Sequence, residues 1–312
     1  MAQNKKKWIW IGSIVLVLFC SVAGILSQRM RWPSLPDANE PILHVAFFAV
    51  GQGDATLLRD QEGNDILIDG GPTDAILSKL GKAMSPMDRT IELVVLTHPH
   101  SDHVNGLAAV LARYHVNRIL MTDVTAGDGA YAIFQKSIAE QQIPVTVAST
   151  TFSFDVGRMH VDVLWPQESW EQHGPPKDNL ATGGGLNDTS VVLRVSYGEK
   201  HLLFMGDVSS AVEEALLHTS STLETDILKV GHHGSRYSTS RAFLAAVRPT
   251  YGVMEVGAKN RYGHPTLQTL FRLHDAGVQT FRTDWDGDIR VSLTPKSLVI
   301  EGDCGHDPCR KR

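Results

Sequence analysis

From Trp8 to Gln28 the chain carries no charged residue, and Ile, Val, Leu and Phe fill most of the stretch. About 20 such residues are enough for a helix to cross a bilayer. An N-terminal hydrophobic helix is therefore expected over residues 1–32. Two forms of it stay open: an uncleaved anchor, or a secretory signal cut near Ser21-Val22-Ala23. Lys5, Lys6 and Lys7 precede the segment, and the indoles of Trp8, Trp10 and Trp32 stand where aromatic rings would meet the two membrane interfaces of a retained span. Either form carries the rest of the chain across a membrane, so the expected location is membrane-anchored and extracytoplasmic, or secreted if the segment is removed. Pro33, Pro36 and Pro41 then mark a linker over residues 33–41, because proline is excluded from helix and sheet interiors.

Beyond Pro41 short runs suited to strands alternate with helical periodicity. Leu43–Val50, Ala55–Arg59, Asp65–Ile68 and Leu93–Leu96 read as strands, and Ala75–Met84 and Val104–Tyr114 as helices. Arg118–Met121, Val145–Val147, Ser153–Asp155 and Met159–Leu164 follow as strands, with a helix at Tyr131–Gln141. Gln167–Gly185, rich in Gly and Pro, is the one long irregular segment. A hairpin of Ser190–Val195 and Leu202–Phe204 comes next. Helices at Ser210–His218, Ser240–Val247 and Thr266–Ala276 then alternate with strands at Asp226–Leu228 and Tyr251–Val256, and three short strands close the domain. Strand runs opening each half, with helices between, predict an α+β fold of two face-to-face sheets with helices outside, over residues 42–303. A doubly wound parallel sheet fits less well, since tight turns join many early strands. Residues 304–312 form a tail in which His306 lies between Cys304 and Cys309; a surface disulfide or a frayed end is the plainest expectation there.

The 312 residues include 29 Lys+Arg against 34 Asp+Glu, a net charge of −5, so bulk charge does not suit the chain to coating nucleic acid. A nuclease stays open, because a metal centre supplies a positive field locally. Three cysteines are too few for a disulfide framework. The 14 histidines matter where they cluster. The apolar run Leu93–Leu96 leads directly into Thr97-His98-Pro99-His100-Ser101-Asp102-His103, which places ligand-type side chains on a loop between a strand end and a helix start. Imidazole nitrogen and carboxylate oxygen are suitable ligands for Zn²⁺ and Mn²⁺.

That cluster resembles the signature of the metallo-β-lactamase superfamily. Further segments stand in the order found in the hydrolase domain of ComEC-type DNA-uptake proteins: Val50-Gly51-Gln52-Gly53-Asp54-Ala55, Leu67-Ile68-Asp69-Gly70-Gly71, Asn187-Asp188-Thr189-Ser190, Leu203-Phe204-Met205-Gly206-Asp207, Leu228-Lys229-Val230-Gly231-His232-His233-Gly234-Ser235 and Asn260-Arg261-Tyr262-Gly263-His264-Pro265. The resemblance implies an αβ/βα four-layer sandwich holding one or two divalent metal ions, Zn or Mn, at a rim between the sheets. It assigns His98 and His100 to a first ion, Asp102 and His103 to a second, Asp207 as the bridge and His264 as completing the second site. Asp69 is expected to accept a hydrogen bond from a ligating imidazole.

Two departures bear on the metal count. His100 stands where ComEC-type domains often have Asp, and Asn187-Asp188 occupies the place of a further ligating histidine. Among His232 and His233, His232 is the expected proton donor, with Asp102 the other catalytic residue. His233, Ser235, Asn187 and Asp188 are expected around the metals or against substrate, and the turn at Ser235 could cradle an anion. Arg236 and Arg261 are candidates for phosphate contact.

The expected activity is metal-dependent hydrolysis of a phosphodiester, in DNA or nucleotides, by metal-activated hydroxide. Hydrolysis of a lactone, β-lactam or thioester is the alternative within the same fold. A catalytically weak metal- or DNA-binding protein associated with uptake is the third reading. ComEC-type proteins carry many membrane spans, whereas this chain has at most one candidate span, so a part in DNA uptake is expected to need partner machinery.

Overall fold

The computed structural model describes residues 29–35, 40–124, 129–149, 151–167, 185–219 and 222–303. The expected N-terminal hydrophobic helix up to Gln28, most of the Gly- and Pro-rich segment before Gly185 and the tail with Cys304, His306 and Cys309 lie outside these residues. Among the described residues no helix is long and apolar enough to cross a membrane.

Alternation along β1 (Leu43–Phe47) shows how the layers arise. Leu43, Val45 and Phe47 point into one buried cluster, whereas Ala46 points into another. β1 pairs with β16 (Ile289–Leu293) and β2 (Thr56–Asp60). Outward from β16 lies β17 (Leu298–Gly302); outward from β2 lie β3 (Asp65–Ile68), β5 (Leu93–Leu96), β7 (Ile119–Met121) and β8 (Val145–Val147). The second sheet has the order β15 (Gln279–Arg282), β14 (Tyr251–Met254), β13 (Ile227–Lys229), β12 (Lys200–Phe204), β11 (Val192–Tyr197), β10 (Met159–Trp165) and β9 (Phe152–Val156). The two sheets face each other across a core in which the Phe47 and Phe204 rings stand 6.2 Å apart. Burial of each such ring contributes roughly 1.5–3 kcal/mol.

Helices α1 (Ala75–Ala83), α2 (Ser101–Leu111) and α3 (Gly129–Gln141) cover the outer face of the first sheet through Ile76, Leu80, Leu107, Val110 and Phe134. Helices α4 (Ser210–Thr219), α5 (Arg241–Val247) and α6 (Leu267–Asp275) cover the second through Val212, Leu216, Phe243 and Leu273. The result is the expected four-layer sandwich. The strand pairs β3/β5, β5/β7 and β7/β8 are parallel, as are β12/β13, β13/β14 and β14/β15. Loops leaving the carboxyl ends of such strands collect on one edge of a sheet.

Three local features differ from the pattern-based expectation. α2 begins at Ser101 rather than Val104, so Asp102 and His103 occupy its first turn. Apolar periodicity misses that turn because it faces polar groups rather than the core. A two-stranded sheet of β4 (Thr90–Ile91) and β6 (His115–Val116), and a short helix α7 (Thr283–Asp286), are too brief for periodicity to register. Packing on the domain also begins before Pro41. The Met30 N–H donates to the Lys82 carbonyl (3.1 Å), the Arg290 guanidinium donates to the Arg31 carbonyl, and Trp32 stacks on His44 at 4.4 Å between ring centroids.

α2 lies directly on the exit of β3. A Cβ on Gly106 would stand 1.9 Å from the Gly70 carbonyl oxygen, and the Gly70 N–H donates to the His103 carbonyl (2.8 Å). Only glycine permits that approach.

Burial, aided by Arg59, lowers the His44 imidazole to about 4. Since an unfolded imidazole titrates near 6.5, folding favours the neutral ring. Its contribution is complete above pH ~6.5 and is lost as pH falls from there towards ~4. On acidification from pH 7 to 4.5 the thermal midpoint is expected to fall more steeply in the wild type than in His44→Phe, which keeps the stacking surface. Parallel slopes in the two proteins would contradict this.

Candidate metal centre

Loops from both sheets meet at one rim. Asp69 follows β3, His98 and His100 follow β5, Asp102 and His103 open α2, Asp207 follows β12, and His232 and His233 follow β13. Asp69, His232 and His233 have positive φ (58°, 49° and 51°), half of the six non-glycine residues that do so among those described. For residues with a Cβ this conformation is strained, and it persists where surrounding contacts enforce it.

Asp69 is fully buried and gathers three hydrogen bonds. Its Oδ1 accepts from the Thr97 N–H (2.8 Å), and its Oδ2 accepts from Thr97 Oγ1 (2.7 Å) and His103 Nδ1 (2.8 Å). With Nδ1 committed as donor, His103 turns Nε2 towards the centre of the rim, where it has no hydrogen-bond partner. His233 is fixed in the same way. Its Nδ1 donates to the Glu255 carbonyl (2.8 Å), and its buried Nε2 is likewise unpartnered, 3.4 Å from Asp102 Oδ2 and 3.5 Å from Asp207 Oδ2.

Asp207 Oδ2 is the common point. His103 Nε2 lies 3.5 Å away, His233 Nε2 3.5 Å, His232 Nε2 3.8 Å and His98 Nε2 3.9 Å. Neighbouring donors around an ion bound at ~2.0–2.2 Å in tetrahedral geometry stand about 3.3–3.6 Å apart. Four groups of three donors lie close enough together to hold an ion: His98, His103 and Asp207; Asp102, His103 and His233; Asp54, Asp207 and His233; and Asp54, Asp69 and His103. His98 Nε2 also lies 2.9 Å from His100 Nδ1, so His100 adjoins the first set.

The electrostatics ask for positive charge. Burial, the largest influence on His103 and His233, disfavours their charged forms. Asp207 outweighs it, helped by Asp69 and Asp102 at His103 and by Asp54 at His233, and both imidazoles are raised well above the usual range. Asp207, against burial, is held well below the carboxylate range by His233, His103 and His232. His98 is lowered, first by burial and then by His103. Without another cation the cluster draws protons onto two imidazoles, and a divalent ion replaces such protons when it binds. Donor spacing, unpartnered nitrogens and charge therefore all fit divalent metal.

Several residues lie differently from expectation. His233, expected around the metals, is inside the converging set. His264, expected to complete the second site, contributes to none of the converging groups. It stands at the cleft wall with its ring 5.5 Å from His232, lowered to about 4 by burial and then by His232 and His233. The left-handed backbone at His233 and the Glu255 carbonyl turn its Nε2 into the converging set, and neither is visible in residue spacing. Ser235 does not line the cleft. It is buried, with its Oγ accepting from the Tyr237 N–H (3.3 Å), and the Ser235 N–H is itself bonded to the His232 carbonyl (2.8 Å). The expected anion cradle at Ser235 is thus absent.

Asp188 also turns inward. Its two carboxylate oxygens accept from the Ser209 N–H (2.7 Å) and hydroxyl (3.0 Å), which steadies the loop carrying Asp207. Asn187 lines the cleft, with Nδ2 3.5 Å from His232 Nε2. Arg236 is exposed and lies over the Tyr237 ring, away from the cleft. Arg261 lies over Tyr262, which is itself a cleft wall.

The family model described as the metallo-beta-lactamase superfamily matches residues 49–254. The chain is 30% identical over 274 residues to Competence protein ComA of Neisseria gonorrhoeae, covering 87% of this chain and 35% of that protein. It is 25% identical over 277 residues to ComE operon protein 3 of Bacillus subtilis, covering 83% of this chain and 34% of that protein. The chain thus spans about a third of the length of these relatives. Among solved structures, CmlA, a diiron beta-hydroxylase from Streptomyces venezuelae, shares the fold at a TM-score of 0.50 and 16% identity, over 83% of this chain and 55% of that one.

Alanine at His103 or His233 is expected to weaken metal binding by at least the about 10–100-fold that loss of an orienting partner costs a site. His264→Ala is expected to stay within about threefold of wild type on the same scale. Metal analysis after dialysis at graded free-ion concentrations measures both. Equal losses at His233 and His264 would refute the assignment.

Proposed function

The chain belongs to the metallo-β-lactamase superfamily, and from that premise we propose that it is a metal-dependent phosphodiesterase acting on DNA or nucleotides. The observation that carries this reading is the convergence of four imidazole nitrogens on Asp207 Oδ2 beneath an open cleft that Asp207, His232 and His233 line. Divalent ions held there supply Lewis acidity towards a phosphoryl oxygen and acidify water. His98, His100, Asp102, His103, His233 and Asp207 are the residues that would hold them, with Zn²⁺ or Mn²⁺ as the suited ions.

His232 is the proton carrier of this proposal. It lines the cleft beside Asp207, and burial keeps its ring below the usual pKa despite Asp207. The resting ring is therefore a proton acceptor. It takes a proton at Nε2 from the attacking water and returns it to the leaving oxygen. Asn187, 3.5 Å away, steadies that nitrogen's position.

Two features support a phosphodiester over a lactone, β-lactam or thioester. The chain's similarity to Competence protein ComA, a ComEC-type protein, favours nucleic acid as substrate. The cleft is lined by Gln52, Ser101, Asn187, Tyr262 and the acid and imidazole groups, with no aliphatic side chain among the described residues. Pockets for small drug-like molecules are mostly apolar. The uncharged Trp8–Gln28 segment supports action outside the cytoplasm, anchored or secreted.

Purified protein with Mn²⁺ or Zn²⁺ is expected to release nucleotides from DNA and to cleave bis-p-nitrophenyl phosphate. His103→Ala abolishes both activities, and His232→Ala lowers kcat by about 10²–10⁴-fold while retaining metal. Turnover of nitrocefin or a lactone, with none of either phosphodiester, would reject this reading.

A further inference from the structure

A lysine lies beneath the centre with almost no access to water. Lys229, the last residue of β13, is 2% exposed, and its Nζ stands 2.6 Å from Asp54 Oδ2 and 3.3 Å from the Val230 carbonyl to which it donates. Lysine is almost never this buried unless paired. Asp54 belongs to the connection between β1 and β2 of the other sheet, so the pair ties the two sheets together below the rim. The next residues repeat the tie: the Ala55 N–H and the Thr56 hydroxyl each donate to the Glu255 carboxylate (both 2.9 Å).

Asp54 is placed to compete for the ion. Its carboxylate lies within 4.8 Å of donor atoms on His233 and Asp207, and of others on His103 and Asp69. Yet it approaches His233 from behind, with Oδ1 3.1 Å from Nδ1, whereas the nitrogen facing Asp102 and Asp207 is Nε2. Oδ2 is held on the far side by the Lys229 ammonium. We propose that Lys229 is a positioning residue: its ammonium pins the Asp54 carboxylate behind His233, where its negative charge faces Nδ1 and reinforces the direction set by the Glu255 carbonyl, instead of entering the coordination sphere.

Two consequences follow. The ammonium cancels one of the four carboxylate charges, Asp54, Asp69, Asp102 and Asp207, gathered around the site. It also adds a contact between the sheets to the Glu255 carbonyl as an influence on the direction of the His233 ring. The inference rests on the reading that the centre holds divalent metal, and does not depend on which bond is hydrolysed.

The test is metal affinity, measured on the full chain by competition between Mn²⁺ or Zn²⁺ and a chromophoric chelator, with circular dichroism as the check on folding. Lys229→Met is expected to weaken binding by about 10–100-fold. Because that variant leaves a buried carboxylate unpaired and could fail to fold, the deciding protein is Lys229→Met with Asp54→Asn, which leaves neither charge uncompensated. The double variant is expected to fold, to bind metal about 10–100-fold more weakly than wild type, and to be no weaker than Asp54→Asn alone. A folded double variant with wild-type affinity overturns the positioning role, since a purely structural pair would change stability and leave affinity alone. Wild-type protein that binds neither ion overturns the metal-dependent reading, and this inference with it.

Discussion

One carboxylate oxygen organises the molecule. Asp207 Oδ2 has four imidazole nitrogens between 3.5 and 3.9 Å away, three of them on side chains that are essentially buried or wholly so. Such a cluster cannot be indifferent to charge: carboxylates removed from water need cations, and neutral imidazoles need somewhere to direct their lone pairs. The two-sheet architecture brings these groups together, since His98, His100, Asp102 and His103 come from one sheet's loops and Asp207, His232 and His233 from the other's. The core between the sheets sets the distance across which they meet.

Two of the ligand-type imidazoles, His103 and His233, are aimed by a contact at the other nitrogen. Asp69 does this for His103, and the Glu255 carbonyl does it for His233, with Asp54 and Lys229 behind. These partners are themselves buried. The left-handed backbone at Asp69, His232 and His233 is part of the same arrangement, because ordinary strand or helix geometry would turn these side chains elsewhere.

Much of this was legible in the residues alone, and the reason is proximity along the chain. His98 to His103 are confined to one strand exit, so their convergence follows from local geometry, and the continuous apolar run of β5 located that exit. What escaped the sequence depends on distant partners or unusual dihedrals. Spacing could not rank His233 above His264, because the choice is made by a φ of 51° and by a carbonyl 22 residues away. Ser235 follows two histidines and still faces inward, because its N–H and hydroxyl serve the turn. Lys229 stands within a recognisable segment, yet nothing in the linear order pairs it with Asp54, 175 positions earlier.

The contact between Gly70 and Gly106 has a consequence for how such a chain could change over generations. The seam admits no side chain, and it fixes the first turn of α2 on which Asp102 and His103 ride. Cleft walls such as Gln52, Asn187 and Tyr262 sit on separate loops and can be exchanged without moving that seam. Selection can therefore retune what enters the cleft while the glycine seam stays frozen, separating an evolvable selectivity from an unyielding chassis.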